Sequence, residues 1–178
     1  KEKEELDETI RRLEEHSKKK VDKVRKELKE MDEHSRDEAR RVRREHEKSE
    51  EKVRRASEEG RSKEVMKRLK EENRDINRRI RERVKEHKRR LDEIEERIRR
   101  TVEDHKRKVE EVARRVRERG VESEEARERL RKNEEEIKKV LEELERRVRE
   151  NKERIDDVER ELEDLSRKIE EKLDRDDT

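Results

Sequence analysis

Two consecutive stretches of 18 residues decide the fold of this chain: residues 6–23, LDETIRRLEEHSKKKVDK, and residues 24–41, VRKELKEMDEHSRDEARR. Aligned with each other, they carry apolar side chains at the same positions and share the tripeptide EHS. The apolar positions are three and four residues apart, which is the spacing of one face of an α-helix. Eighteen residues make five turns of 3.6 residues, so the repeat predicts nearly straight helices rather than supercoiled ones.

The repeat continues through the rest of the chain and is interrupted at the two glycines, Gly60 and Gly120. Glycine is common directly after a helix end, and serine is a good residue to cap a helix start. Because Ser62 and Ser123 follow the glycines, each junction is predicted to be a helix stop, a short turn and a new helix start. We therefore expect helices over about residues 2–59, 62–119 and 123–176.

The composition alone would allow disorder. Of 178 residues, 66% are charged and 22% hydrophobic, and there is no aromatic residue, cysteine or proline. A disordered polyampholyte has no reason to keep the 18-residue register, and an isolated charged helix needs no apolar stripe. We therefore predict an all-α fold, a single-chain up-down-up three-helix bundle that forms one elongated domain over residues 1–178.

Several function classes are not expected from these residues. Without cysteine there are no disulfides or zinc–thiolate sites, and without aromatic residues there is no base-stacking platform. No apolar run approaches the roughly 18 residues of a transmembrane helix, and no signal peptide is visible. No arrangement of residues suggests catalysis, and no cofactor is expected.

Charge is divided unevenly among the three segments. Residues 61–119 carry 24 basic and 15 acidic side chains, and residues 121–178 carry 16 and 23. A basic helix beside an acidic helix indicates pairing within the molecule, so nucleic-acid binding is the less favoured interpretation. No helix shows a second apolar stripe, so we expect a monomer that requires no partner and binds no membrane.

Polar side chains interrupt the apolar stripe at recurring levels. In a hairpin that turns at Gly60, residues at equal height have numbers that sum to about 121, and His16 with His105 and His34 with His87 both meet this condition. The same reasoning for the hairpin that turns at Gly120 places Asn133 at the height of His105, and Asn151 at the height of His87. We predict three buried polar layers: layer 1 with His16, Ser17, His105 and Asn133; layer 2 with His34, Ser35, His87 and Asn151; layer 3 with His46, Ser49, Asn73, Asn77 and Ser166.

Three interpretations of these layers remain open. Neutral imidazole, amide and hydroxyl groups together supply the donors and acceptors of a closed network, which would fix helix register and order. Burial disfavours the imidazolium, so the same layers would lose stability in mild acid and act as a pH-responsive switch. A site for zinc, nickel or copper held by two histidines from different helices is the third interpretation, although asparagine is a poor third ligand and no metal ligand is assigned.

Over its whole length the chain resembles computationally designed, parametrically generated helical bundles. The resemblance rests on the equal segments divided by Gly60 and Gly120, the strict repeat, and a surface of glutamate, lysine and arginine. The polar layers resemble designed hydrogen-bond networks, and those with histidine resemble the layers of designed pH-responsive bundles. The resemblance implies a structural scaffold without a natural substrate, or a self-assembling building block that acid releases.

Overall fold

The computed structural model describes residues 2–60, 62–118 and 124–176 of the chain. They form three α-helices, α1 (Glu2–Glu58), α2 (Lys63–Glu118) and α3 (Glu124–Asp176), and no strand occurs within these ranges. All three helices pack against one another, which confirms the predicted three-helix bundle.

The turn between α1 and α2 follows from the residues at its two sides. Gly60 has a φ of 61°, the left-handed conformation that favours glycine after a helix end. On the other side, the carbonyl of Ser62 accepts the backbone N–H groups of Val65 at 3.1 Å and Met66 at 3.2 Å, so Ser62 directly precedes the first turn of α2. The predicted caps Gly120 and Ser123 lie outside the described residues.

The apolar stripe of α1 faces inward along the helix. Each of its leucine, isoleucine, valine and methionine positions is buried, Ala56 is buried as well, and Ala39 is half-buried. At the predicted serine positions Ser17 and Ser35 the stripe is also buried. The spacing of threes and fours therefore identified the core-facing line of the helix.

The chain divides into two compact units, each containing a segment of all three helices. Unit 1 comprises residues 1–30 and 92–149, and unit 2 comprises residues 31–91 and 150–178. Each unit has its own apolar cluster. The cluster of unit 1 contains Leu6, Ile10, Leu13, Val109, Val112, Val116, Ala126 and Leu130, and that of unit 2 contains Val53, Ala56, Met66, Ile169 and Leu173. That the whole chain forms one domain stays a prediction.

Ion pairs connect the basic α2 to the acidic α3 within unit 2. The ammonium of Lys88 lies 2.9 Å from a carboxylate oxygen of Glu159 and 3.0 Å from one of Asp156. Lys70 and Asp174 approach to 2.5 Å. Part of the opposite charge of the two segments is therefore paired between neighbouring helices. Exposed pairs of this kind each stabilise by at most about 1 kcal/mol.

Candidate functional site: the buried polar layers

Eleven polar side chains of the described residues are buried, and all were among the candidates for the three layers. They are Ser17, Ser35, His46, Ser49, Asn73, Asn77, His87, His105, Asn133, Asn151 and Ser166. In the interior of a protein such groups need hydrogen-bond partners, because an unpaired one costs about 1–3 kcal/mol. The function of each layer therefore depends on which of these partners are present.

Layer 1 lies in unit 1 and contains one hydrogen bond between helices. The hydroxyl of Ser17 donates its proton to the carbonyl of Leu13 at 2.8 Å, so toward His105 it can only accept. The Nδ1 atom of His105 lies 2.8 Å from this hydroxyl oxygen and must carry the proton. The neutral imidazole is therefore the Nδ1–H tautomer.

The rest of layer 1 is less completely bonded. The Nε2 atom of His105 and the Oδ1 atom of Asn133 are both buried, and neither has a hydrogen-bond partner among the described residues. The carboxylate of Glu14 on the same level is bonded to Arg129, with Nε and Oε1 2.9 Å apart. Layer 1 thus connects α1 to α2 through Ser17 and His105, and no described hydrogen bond extends it to Asn133.

Layer 2 lies in unit 2 and joins all three helices. The amide nitrogen of Asn151 on α3 donates to a carboxylate oxygen of Asp32 on α1 at 2.8 Å. This bond leaves the amide oxygen free to accept, and the Nε2 atom of His87 on α2 lies 3.3 Å from it. Because the oxygen can only accept, His87 must carry its proton on Nε2, which is the opposite tautomer to that of His105.

An arginine completes layer 2. The guanidinium of Arg154 donates to the carboxylate of Asp32 and to the hydroxyl of Ser35, both at 3.3 Å. The hydroxyl of Ser35 in turn donates to the backbone carbonyl of Asp32 at 2.9 Å. The result is a continuous set of hydrogen bonds from the imidazole through the amide to a carboxylate that also holds a cation.

Layer 3, also in unit 2, is the least satisfied of the three. The amide nitrogen of Asn77 donates to the hydroxyl of Ser166, which joins α2 to α3. The Nδ1 atom of His46 donates to the carbonyl of Val42 in its own helix at 2.8 Å. Both polar atoms of Asn73, the Oδ1 atom of Asn77 and the Nε2 atom of His46 are buried without a partner among the described residues. Ser49 of α1 is also buried.

The positions of His16 and His34 correct the sequence-based expectation. Both side chains are exposed, and neither is a buried member of its layer. The reason is angular: Ser17 and Ser35 occupy the core-facing line, and the preceding residue of a helix points about 100° away from it. Number sums give the height of a residue in a hairpin but not the direction of its side chain.

Burial changes the proton affinity of the two layer histidines. Desolvation lowers the pKa of His87 below its ordinary value, and the hydrogen bond to Asn151 only partly opposes this. Desolvation likewise lowers the pKa of His105, with Glu134 acting in the opposite direction. The pKa of the exposed His16 is also lowered, first by partial desolvation and then by Lys108 and Lys20. At neutral pH these environments favour the uncharged imidazole.

Sequence reasoning did not find Asp32 and Arg154, the two charged members of layer 2. With two thirds of the chain charged, no single carboxylate or guanidinium stands out by type. The available signal was spacing, because Asp32 precedes Ser35 by three residues and Arg154 follows Asn151 by three, so each shares a helix face with a predicted member. That signal is present for many other charged residues as well.

Two further features of the described residues bear on other functions. Within residues 2–60, 62–118 and 124–176, no three histidine, aspartate or glutamate side chains are grouped so that they can hold a metal ion. In the same ranges, no helix combines the length and apolarity that crossing a membrane requires.

Comparisons with known proteins do not assign the chain to a family. No protein-family model matches the chain, and no curated protein matches it. Among solved structures, it is similar to a computationally designed three-helix bundle, with 16% sequence identity over 97% of this chain and 81% of that chain, and a TM-score of 0.36. At that level of similarity the match carries no weight, and the fold assignment rests on the helices themselves.

Proposed function

We propose that the chain is a designed structural scaffold in which the buried polar layers fix how the helices pack. Layer 2 is the observation that carries this proposal, because its hydrogen bonds involve α1, α2 and α3 at one level. If any helix slid or exchanged places, Asn151 and His87 would be buried without partners. Buried polar groups thereby penalise alternative packings more than they stabilise the native one.

The proposal includes no chemical step and no cofactor, and it assigns no nucleic-acid or membrane partner. It also includes a monomeric state. In the described part of the chain no large apolar side chain is exposed, so no apolar patch is available there for self-association. Light scattering at neutral pH tests this state, and a mass equal to one chain is the expected result.

A variant with leucine at His87, His105, Asn133 and Asn151 tests the scaffold proposal. We expect its denaturant midpoint to rise, because apolar packing replaces desolvated polar groups. We also expect several sets of amide signals or a larger mass, because nothing then excludes alternative packings. The control exchanges leucine for isoleucine at Leu28 and Leu144, both buried. A leucine variant with one set of signals and the mass of one chain would contradict the proposal.

A pH-responsive switch is the second candidate, and the lowered pKa values of His87 and His105 favour it. A histidine with a folded pKa below the unfolded value of about 6.5 binds a proton more readily when the chain unfolds. Stability is then fully present above that pH and falls as the pH drops below it. Denaturant midpoints between about pH 7.5 and 4.5 test this, and a midpoint that does not change would rule the switch out.

A further inference from the structure

Layer 3 contains more hydrogen-bond acceptors than donors among its unpartnered atoms. The carbonyl of Val42 can only accept, so His46 carries a proton on Nδ1, and the uncharged form of the ring presents a lone pair at Nε2. The amide oxygens of Asn73 and Asn77 are two more acceptors, and the amide nitrogen of Asn73 is the one unpartnered donor group. Among the unpartnered atoms, the two amide protons of Asn73 are fewer than the three acceptors.

These atoms lie at one level of unit 2. Asn73 and Asn77 are four residues apart on α2 and therefore share a helix face. The ion pairs Arg83–Glu38, at 2.8 Å, and Lys52–Glu72, at 3.6 Å, fix the antiparallel register of α1 and α2 on either side of this level. Counting inward from both pairs places His46 of α1 opposite residues 75–78.

Ser166 brings α3 to the same place, because its hydroxyl accepts the amide proton of Asn77. All four side chains are more than nine-tenths buried: His46 is 2% exposed, Asn73 2%, Asn77 6% and Ser166 8%. Partnerless polar atoms from two helices are therefore brought to one buried level, where α3 also contributes a hydroxyl.

An open groove reaches the edge of this level. The groove has a volume of about 360 Å³ and lies along α2 and α3. Asn77 and Ser166 form part of its wall, and the other lining residues are charged, both basic and acidic. Water in the groove thus has access to the polar side chains behind it. The groove supplies the path, and the partnerless atoms supply the binding groups.

We propose that layer 3 is a binding site for one internal water molecule. A water molecule supplies two donors, which serve two of the three unpartnered acceptors, and two acceptor positions, one of which serves the unpartnered donor. It donates to Nε2 of His46 and to the amide oxygen of Asn77, and it accepts from the amide nitrogen of Asn73. Internal water in proteins typically makes about three such bonds. This inference does not depend on the scaffold proposal, because it concerns only the satisfaction of these atoms.

Water–protein cross-relaxation in the NMR spectrum of the intact chain tests the site. The carbon-bound ring protons of His46 flank Nε2 and do not exchange with solvent, so a cross-peak from them to water reports direct contact. We expect this cross-peak with the sign of a long-lived water molecule. The matched control is His87, whose Nε2 already has Asn151 as partner, and its ring protons are expected to show no such signal. A spectrum without the His46 signal would overturn the proposal.

The variant Asn73→Leu provides the second measurement. It removes the donor that holds the water and fills the space, so we expect loss of the His46 cross-peak and a higher denaturant midpoint. Asn151→Leu, at a site whose amide is fully bonded, is the control and is expected to retain the cross-peak. If the cross-peak persisted unchanged in Asn73→Leu, Asn73 would not be a ligand of the water and the site as proposed would be wrong.

Discussion

Layers 1 and 2 contain the same residue types one 18-residue repeat apart, but their hydrogen bonds differ. In layer 2 the bonds run from His87 through Asn151 to Asp32. In layer 1 they run from His105 to Ser17, and the amide oxygen of Asn133 is buried without a described partner. Placing histidine, asparagine and serine at one level is therefore not sufficient to close a network.

Charged neighbours explain the difference. The residue 18 positions before Asp32 is Glu14, whose carboxylate is bonded to Arg129 at 2.9 Å. The residue 18 positions before Arg154 is Glu136, so layer 1 also has an acid where layer 2 has a base. In layer 2 the carboxylate accepts the amide proton of Asn151, which orients that amide toward the imidazole. Layer 1 has no equivalent anchor for its amide.

The largest expected effect separates the two asparagines. Asn151→Ala leaves the Nε2 proton of His87 and the carboxylate of Asp32 without a shared partner, so the free energy of unfolding should fall by about 1–3 kcal/mol. Asn133→Ala, in the incomplete layer, should cost less than about 1 kcal/mol. Urea denaturation of both variants at neutral pH measures the two values. Equal losses would show that the layers are equivalent after all.

Copying the charged pair of layer 2 into layer 1 should have a smaller, stabilising effect. The double variant Glu14→Asp and Glu136→Arg supplies the carboxylate and guanidinium that Asn133 lacks. We expect the free energy of unfolding to rise by about 1 kcal/mol, the value of one added buried hydrogen bond. The reciprocal variant, Asp32→Glu with Arg154→Glu, is the control and should lose stability. A destabilised first variant would contradict the role given to these charges.

The smallest effect is expected at the two exposed histidines. His16→Ala and His34→Ala should each change the free energy of unfolding by no more than about 0.5 kcal/mol, as is usual for exposed positions. His105→Ala, at a buried position on the same level as His16, should cost clearly more. Thermal denaturation of the three variants tests the assignment. A loss at His16 or His34 comparable to that at His105 would restore the sequence-based placement of the imidazole in its layer.

The outcome for these histidines shows how far the sequence could predict the molecule. The three-helix bundle and the line of core positions follow from the spacing of the apolar residues and from the two glycines that divide the sequence. Both signals depend only on regular helix geometry. The height of His16 and His34 was also accessible from residue numbers. The direction of their side chains depends on the angle between each histidine and the core-facing line of α1. Because Ser17 and Ser35 lie on that line, the sequence already indicated that the preceding histidines point away from the core.

The charged members of layer 2 required information that the sequence does not hold. Whether Asp32 bonds to Asn151 depends on side-chain rotamers and on which competing cation is nearest. In layer 1 the corresponding carboxylate, that of Glu14, is paired with Arg129. The chain has 60 basic and 58 acidic residues, so many oppositely charged partners are available, and the structure is needed to show which of them pair.

The tautomers of His87 and His105 test the difference between the two layers most directly. Long-range proton–nitrogen correlations at neutral pH identify which ring nitrogen carries the proton. The hydrogen bonds predict the proton on Nε2 in His87, which donates to Asn151, and on Nδ1 in His105, which donates to Ser17. If both imidazoles showed the same tautomer, the connectivity assigned to one of the layers would be wrong.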